Sequence, residues 1–457
     1  MVALVRVTIS EIAPSRFIWL CRSVALLALM TLAGCGAGAE RTQLAAPPNL
    51  VTLEGGVDYP SESVPSALRT VQSEILYVTD RNPVLSEAGQ VVGYGAARSK
   101  QMAYGASLVD FGNLQSWEEI VALSSGDVPP DIVQLKAQRV QEIARFPATP
   151  LPYVSGGGRL QTTPEANAAY DASIRVMRRD LSQRLRETGL DRVTVYVHGF
   201  NNDFDEAVGT MANVWHFSGR QSLPVLYSWP AGNDGVLAYF RDSEAGEFSV
   251  FHFKEFMRVL ASVPDLKRID IIAHSRGTVV TTVALRELLL EARGSGQDVR
   301  KVLKTGTLIL AAADLDVGVA QQRLVAERFG NAFEQINIYV NPNDGALALS
   351  SIIGAFDRVG GMNLDNLNDT DRKDIAESGN VSVIVVERGK RSLGHTYFRR
   401  NPAVMSDIIL TLWTGAKAGS VARPLRNVSP NLYALPPDYP GDMSAVVDVL
   451  NAFADHS

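Results

Sequence analysis

The chain has 457 residues, 46% hydrophobic and 20% charged, with a formal net charge of −6. Such a chain can bury a large core and has room for more than one domain, and its acidic balance gives it no electrostatic reason to bind nucleic acid. Its only two cysteines, Cys21 and Cys35, stand near the start, which excludes a disulfide framework or a cysteine metal cluster in the main body.

Residues 1–34 read as an export signal. Arg16 and Arg22 precede an apolar run, Ser23 to Ala33, that is too short to cross a bilayer as a helix. The run ends in Leu32-Ala33-Gly34-Cys35, which resembles a bacterial lipobox. That resemblance implies cleavage before Cys35 and a diacylglycerol on its sulfur, and acyl chains burying roughly 0.8 kcal/mol per CH₂ would hold the protein to a membrane surface. An ordinary secretory signal with a chance cysteine is the alternative. Gly36 stands where an aspartate is associated with inner-membrane retention, so the expected place is the cell envelope, on the periplasmic side of the outer membrane. No later apolar run reaches the ~18 residues of a membrane span.

Residues 35–65 are small, polar and proline-rich, as a flexible tether would be, so the folded body is expected over 66–418. Ile75 to Thr79, Met102 to Val109 and Arg139 to Phe146 are short β-rich runs. From Pro164 helical and strand patterns alternate. Strands are expected at Arg192 to Val197, Pro224 to Ser228, Ile269 to Ala273, Thr307 to Ala312, Ile336 to Val340 and Val381 to Val386. Helices are expected at Pro164 to Glu187, Ala207 to Trp215, Phe248 to Val263, Thr278 to Arg293 and Ala403 to Trp413. Near-continuous apolar strands separated by helices indicate an α/β fold with a mostly parallel sheet covered on both faces. The proline-rich tail, residues 419–457, is expected to wrap the surface.

Ala273-His274-Ser275-Arg276-Gly277 joins a buried strand to a helix with small residues two before and two after the serine, the pattern of a nucleophile elbow. The sharp turn brings those two positions together, so large side chains there would force it open. It also aims the Ser275 hydroxyl outward and sets the Arg276 amide at a helix N-terminus, where unpaired N–H groups can stabilise an oxyanion. The five-residue pattern alone also fits an ordinary strand-to-helix turn; its flanks favour the elbow.

In α/β-hydrolases the order along the chain is serine, acid, histidine. Only His395 and His456 follow Ser275; His456 lies in an irregular tail, whereas His395 follows a strand by a short polar loop, so His395 is the expected base. The earlier histidines, His198, His216, His252 and His274, read as structural, with His198 shaping the oxyanion loop. The acid should sit at a strand end between serine and base. Asp344 is preferred, because it follows the second strand after that of the nucleophile; Asp314 and Asp316 stay open, and each of these positions also suits a cap or turn. The second oxyanion donor is expected in His198-Gly199-Phe200-Asn201-Asn202, from the amide of Phe200 ahead of that of Asn201.

Tyr77-Val78-Thr79-Asp80-Arg81-Asn82, Val197 to Asn202, Tyr227-Ser228-Trp229-Pro230, Ala273 to Gly277, Tyr339 to Leu347 and Gly394-His395-Thr396-Tyr397-Phe398 occur in this order. Together they resemble a family of bacterial α/β-hydrolases long grouped as uncharacterised, over about Ser73 to Trp413. The resemblance implies an esterase-like fold without a settled substrate. Arg276 departs from the apolar residue usual after the serine; it reads as a solvated or helix-bonded side chain, with an acidic substrate as the alternative. Trp229 to Val263 carries aromatic residues that suit a helix's core face, or a cap over an acyl pocket.

The expected activity is serine hydrolysis of a small-molecule or lipid ester through an acyl-enzyme at Ser275, with no metal or organic cofactor required. An acyltransferase using the same acyl-enzyme and a catalytically silent envelope lipoprotein acting as a binding platform are the rivals.

Overall fold

The computed structural model describes residues 43–126, 133–156, 159–233, 237–354, 356–363, 367–389 and 394–454. The expected signal segment and the expected lipidation site at Cys35 lie outside these residues, as does part of the polar loop before His395.

Eleven strands form one sheet in the order β12-β13-β11-β10-β9-β8-β6-β7-β1-β2-β3. These are β1 (Gln72–Leu85), β2 (Val91–Phe111), β3 (Leu135–Arg145), β6 (Arg192–Val197), β7 (Leu223–Ser228), β8 (Arg268–His274), β9 (Thr305–Ala311), β10 (Gln335–Val340), β11 (Val381–Val386), β12 (Arg426–Ser429) and β13 (Leu432–Leu435). A separate hairpin pairs β4 (Tyr153–Gly156) with β5 (Arg159–Thr162). From β13 to β1 all neighbours run parallel, while β2, β3 and β12 pair antiparallel at the two edges.

Both faces are covered, as near-continuous apolar strands require. One face carries α1 (Pro164–Thr188), α3 (Ala238–Ala261) and α4 (Gly277–Gly294); the other carries α2 (Phe204–Phe217) and α6 (Pro402–Thr414). The expected strands and helices of the alternating region occur within about three residues of where the pattern puts them, except that α3 starts at Ala238 rather than Phe248. The opening β-rich runs are longer than expected and form the antiparallel wing β1-β2-β3.

Two boundaries need correction. Residues 43–65, expected within the flexible tether 35–65, belong to the folded body. Leu50 is buried and its amide donates to Ser406 Oγ at 2.9 Å. Tyr59 stacks on His216, with ring centroids 4.9 Å apart, and its hydroxyl donates to the His216 carbonyl at 3.0 Å. A few apolar anchors spaced along a proline-rich stretch are enough to dock it, and average composition hides them.

The tail 419–457 does not merely wrap the surface. Its β12-β13 hairpin completes the sheet beside β11, and Arg423 is fully buried. Arg423 donates from Nη2 to Asp407 Oδ2 at 2.7 Å and from Nε to Oδ1 at 3.0 Å, and the Tyr339 and Tyr439 hydroxyls donate to the same carboxylate at 2.6 and 2.7 Å. Four donors thus satisfy one carboxylate that packing has removed from water. Removing one partner of a buried ion pair typically costs about 3–5 kcal/mol, because the other charge stays buried. Arg423→Ala is therefore expected to lose about that much in denaturant unfolding, whereas a midpoint equal to that of the unsubstituted protein would return the tail to a surface role.

Candidate active site

Strand β6 has β7 on one side and β8 on the other, so the loops leaving β6 and β8 meet where the strand order reverses. Such a switch point opens a crevice beyond the C-terminal strand ends. The β8 turn carries Ser275, with φ of +52°, a left-handed conformation that costs an L-residue roughly 1–2 kcal/mol. Glycine lets the two loops close on each other. A Cβ on Gly277 would lie 2.3 Å from the His198 carbonyl oxygen and 2.7 Å from that of Val197, and one on Gly199 would lie 2.7 Å from Ser275 Cβ. The two loops approach so closely that neither position admits a side chain.

His395 meets this turn from beyond β11, a strand further along the same sheet. Its Nε2 lies 2.6 Å from Ser275 Oγ and its Nδ1 lies 2.8 Å from Asp344 Oδ2. A carboxylate can only accept, so Nδ1 carries the proton and Nε2 is left to accept from the serine hydroxyl. Asp344 follows β10, is buried, and its other oxygen accepts from the Ala346 and Leu347 amides at 3.0 and 3.1 Å, at the start of α5 (Gly345–Gly354). The same carboxylate thus caps a helix and orients the imidazole. Geometrically, this chain can move a proton off Ser275 and stabilise the resulting imidazolium.

The other two acids have different partners. Asp316 caps a short helix through the Val319 amide at 2.7 Å. Asp314 is buried, accepts from Ser350 Oγ at 2.7 Å and from the Tyr239 hydroxyl at 3.1 Å, and faces Arg358 Nε at 3.3 Å and Arg276 Nη1 at 4.0 Å.

Two side groups fix the base. His274 Nε2 donates to the His395 carbonyl at 2.9 Å. Tyr397, two residues on, accepts from the Ala312 amide at 3.1 Å and donates to the Tyr339 carbonyl at 2.8 Å, which ties the base's loop to the ends of β9 and β10. Burial, followed by the Asp344 charge, pushes the Tyr397 hydroxyl far above its ordinary value, so it stays a donor.

Opposite lies the expected oxyanion loop. The Arg276 amide stands at the N-terminus of α4. The Asn201 amide, the alternative second donor, is engaged with Asp242 Oδ2 at 3.0 Å. Two buried residues that sequence reasoning did not single out for a role hold this loop. Arg81, from β1, donates to the Asn202 carbonyl at 2.7 Å, the Ala231 carbonyl at 2.7 Å, Ser228 Oγ at 2.8 Å and His198 Nε2 at 3.3 Å. His198 then carries its proton on Nδ1, 3.0 Å from the Gly199 carbonyl, and stacks flat on Trp229. Burial lowers the Arg81 guanidinium to about 10, with Asp203, Asp242 and Asp80 holding it up, so it remains charged at neutral pH. Asp242, from α3, accepts from the Asn201, Gly232 and Asn233 amides. Thr79-Asp80-Arg81 stood in the recognised motif, but nothing local announced that its arginine reaches main-chain oxygens of a distant loop.

Of the aromatic residues in Trp229 to Val263, Phe253 and Phe256 of α3 are buried against Tyr227, as a core face requires, while Phe240 and Phe251 are exposed. The start of α3 reaches the site, where Tyr239 packs edge-on against Phe200 at 5.6 Å and Asp242 holds the Asn201 amide. A cavity of about 720 Å³ lies behind Asp344, against Leu310, Ile336, Ile338 and Val383; neither Ser275 nor His395 lines it. Among the described residues no group of three or more His, Cys, Asp or Glu could hold a metal, and no helix is long and apolar enough to cross a membrane.

Residues 174–412, just over half of the chain, match the family described as alpha/beta hydrolase of unknown function (DUF900). Among solved structures the chain is similar to a Pyrobaculum calidifontis esterase, at 11% identity over 50% of this chain and 78% of that one, with a TM-score of 0.27. It is also similar to the Pyrococcus furiosus esterase Pf2001, at 12% identity over 46% and 77%, with a TM-score of 0.23. No match was found among curated proteins.

The close approach of the two loops is testable through Gly277→Ala. Its methyl group has to displace backbone oxygens, so thermal or denaturant unfolding is expected to show a loss of about 1–3 kcal/mol, typical of overpacking. An unchanged midpoint would mean that the loops are free to separate.

Proposed function

The chain belongs to this α/β-hydrolase family, and on that premise we propose that it is a serine hydrolase of carboxylic esters, with Ser275 as nucleophile, His395 as general base and Asp344 as the acid. The observation that carries the reading is the unbroken chain Ser275 Oγ, His395 Nε2, His395 Nδ1, Asp344 Oδ2, with links of 2.6 and 2.8 Å.

In this mechanism His395 takes the Ser275 proton as the oxygen attacks the ester carbonyl. The oxyanion faces the amides of Phe200 and Arg276, a class of donor worth about 2.7–4 kcal/mol each in transition-state stabilisation. Collapse of the intermediate expels the alcohol, which His395 protonates, and leaves an acyl-enzyme. A water that gives its proton to His395 then releases the acid. Asp344 stays ionised throughout and balances the imidazolium. Arg81 and Asp242 support the reading from outside, since both act on the backbone that carries the Phe200 donor.

The protein is further proposed to work from a lipid anchor at Cys35, on the periplasmic side of the outer membrane, on a small-molecule or lipid ester. The support is the lipobox-like Leu32-Ala33-Gly34-Cys35.

Two experiments test these readings. A fluorophosphonate should label the protein stoichiometrically by intact mass, with labelling lost in Ser275→Ala and His395→Ala, while Asp344→Asn should lower kcat by about 10³–10⁴-fold. A folded protein that takes no label would sink the hydrolase reading in favour of a binding platform. Separately, metabolic incorporation of a fatty-acid analogue should be abolished by Cys35→Ala; incorporation that survives the substitution would exclude that cysteine as the anchor.

A further inference from the structure

Arg276 follows the nucleophile directly, and its side chain is 21% exposed. Its guanidinium lies 6.0 Å over the Tyr239 ring, and that ring packs edge-on against Phe200, the residue whose amide is the second oxyanion donor. The cation therefore sits on an aromatic shelf that leads from one oxyanion donor to the other.

Its charge is only partly matched. Asp314 lies between two guanidiniums and is nearer to the deeper one, with Arg358 Nε at 3.3 Å and Arg276 Nη1 at 4.0 Å. The hydrogen bonds that Asp314 accepts come from Ser350 and Tyr239. Burial and the Asp314 charge raise the Tyr239 hydroxyl, so it remains a donor to that carboxylate. The cluster thus carries two arginines against one aspartate, and among the described residues the Arg276 guanidinium makes no hydrogen bond. The neighbouring carboxylates are committed elsewhere: Asp242 to backbone amides and Asp344 to His395. A planar guanidinium with unspent donors is suited to paired hydrogen bonds with a carboxylate or phosphate.

We propose that Arg276 forms an anion subsite beside Ser275, and that the preferred substrate is an ester carrying a carboxylate or phosphate group near the scissile carbonyl. The subsite rests on the reading of Ser275 as nucleophile. It adds no chemical step, since it binds and orients the ester that Ser275 attacks.

The test is a ratio of kcat/KM values, so that a general loss of activity cancels. One arm compares the mono-4-nitrophenyl ester of glutaric acid with 4-nitrophenyl butyrate, which puts the anion on the acyl side. The other compares 4-carboxyphenyl butyrate with 4-acetylphenyl butyrate, which puts it on the alcohol side. The unsubstituted protein should favour the anionic ester in one arm. Arg276→Gln should reduce that preference roughly tenfold or more, the scale of one charge-assisted contact, and Arg276→Lys should keep part of it. No preference in either arm, or a preference untouched by Arg276→Gln while the neutral esters are still turned over, would overturn the subsite alone. If no ester is turned over and no fluorophosphonate is bound, the hydrolase reading falls and takes the subsite with it.

Discussion

The site depends on one steric constraint, the near contact of the loop after β6 with the turn after β8. Gly199 faces Ser275 Cβ and Gly277 faces the His198 and Val197 carbonyls, all at distances that exclude a Cβ. Adjacent parallel strands bring the two loops to the same edge, and only small residues let them touch. Once they do, the left-handed conformation of Ser275 has no room to relax, and the serine presents its hydroxyl to His395. Strain at this one residue is tolerated because the surrounding backbone over-determines it.

Around that contact, buried charge replaces what a small crevice cannot obtain from packing alone. Arg81 and Asp242 approach the loop after β6 from β1 and α3 and spend their charges on main-chain groups. Each is an ion whose desolvation is offset by hydrogen bonds rather than by a single counter-ion, which fixes loop position more sharply than apolar contacts would. Arg220 plays a similar part at the opposite end of α2. It lies among the Phe111, Trp117 and Trp215 rings and donates to the Leu68 and Thr70 carbonyls, which binds the segment leading into β1 to the core.

Much of this was legible in the sequence, for a reason that particular residues make plain. Ser275, Asp344 and His395 each follow an apolar strand, so their positions could be read from strand periodicity plus one short motif, and the structure brings the three together. Arg81 and Asp242 were not legible as site residues, because their partners are backbone groups of a loop far along the chain, and no spacing encodes that. The tether failed for a related reason: Leu50 and Tyr59 are isolated anchors in a polar, proline-rich stretch, and averaging over a window erases them. Arg423 escaped in the same way, since a charged residue in a proline-rich tail looks solvated until its aspartate is known.

The clamp on Asp407 has a consequence for the order of assembly. Tyr339 belongs to β10, the strand that presents Asp344, and it shares the Asp407 carboxylate with Arg423 and Tyr439. A nascent polypeptide delivers Ser275, Asp344 and His395 well before it delivers that arginine and the strand β13 that covers β11. Until then Asp407 faces the core without its cationic partner, and the sheet edge beside β11 stays uncovered. The order of β10 therefore rests in part on residues that follow Ser275, Asp344 and His395 in the chain, and a chain cut before Arg423 would leave Asp407 buried without its cation.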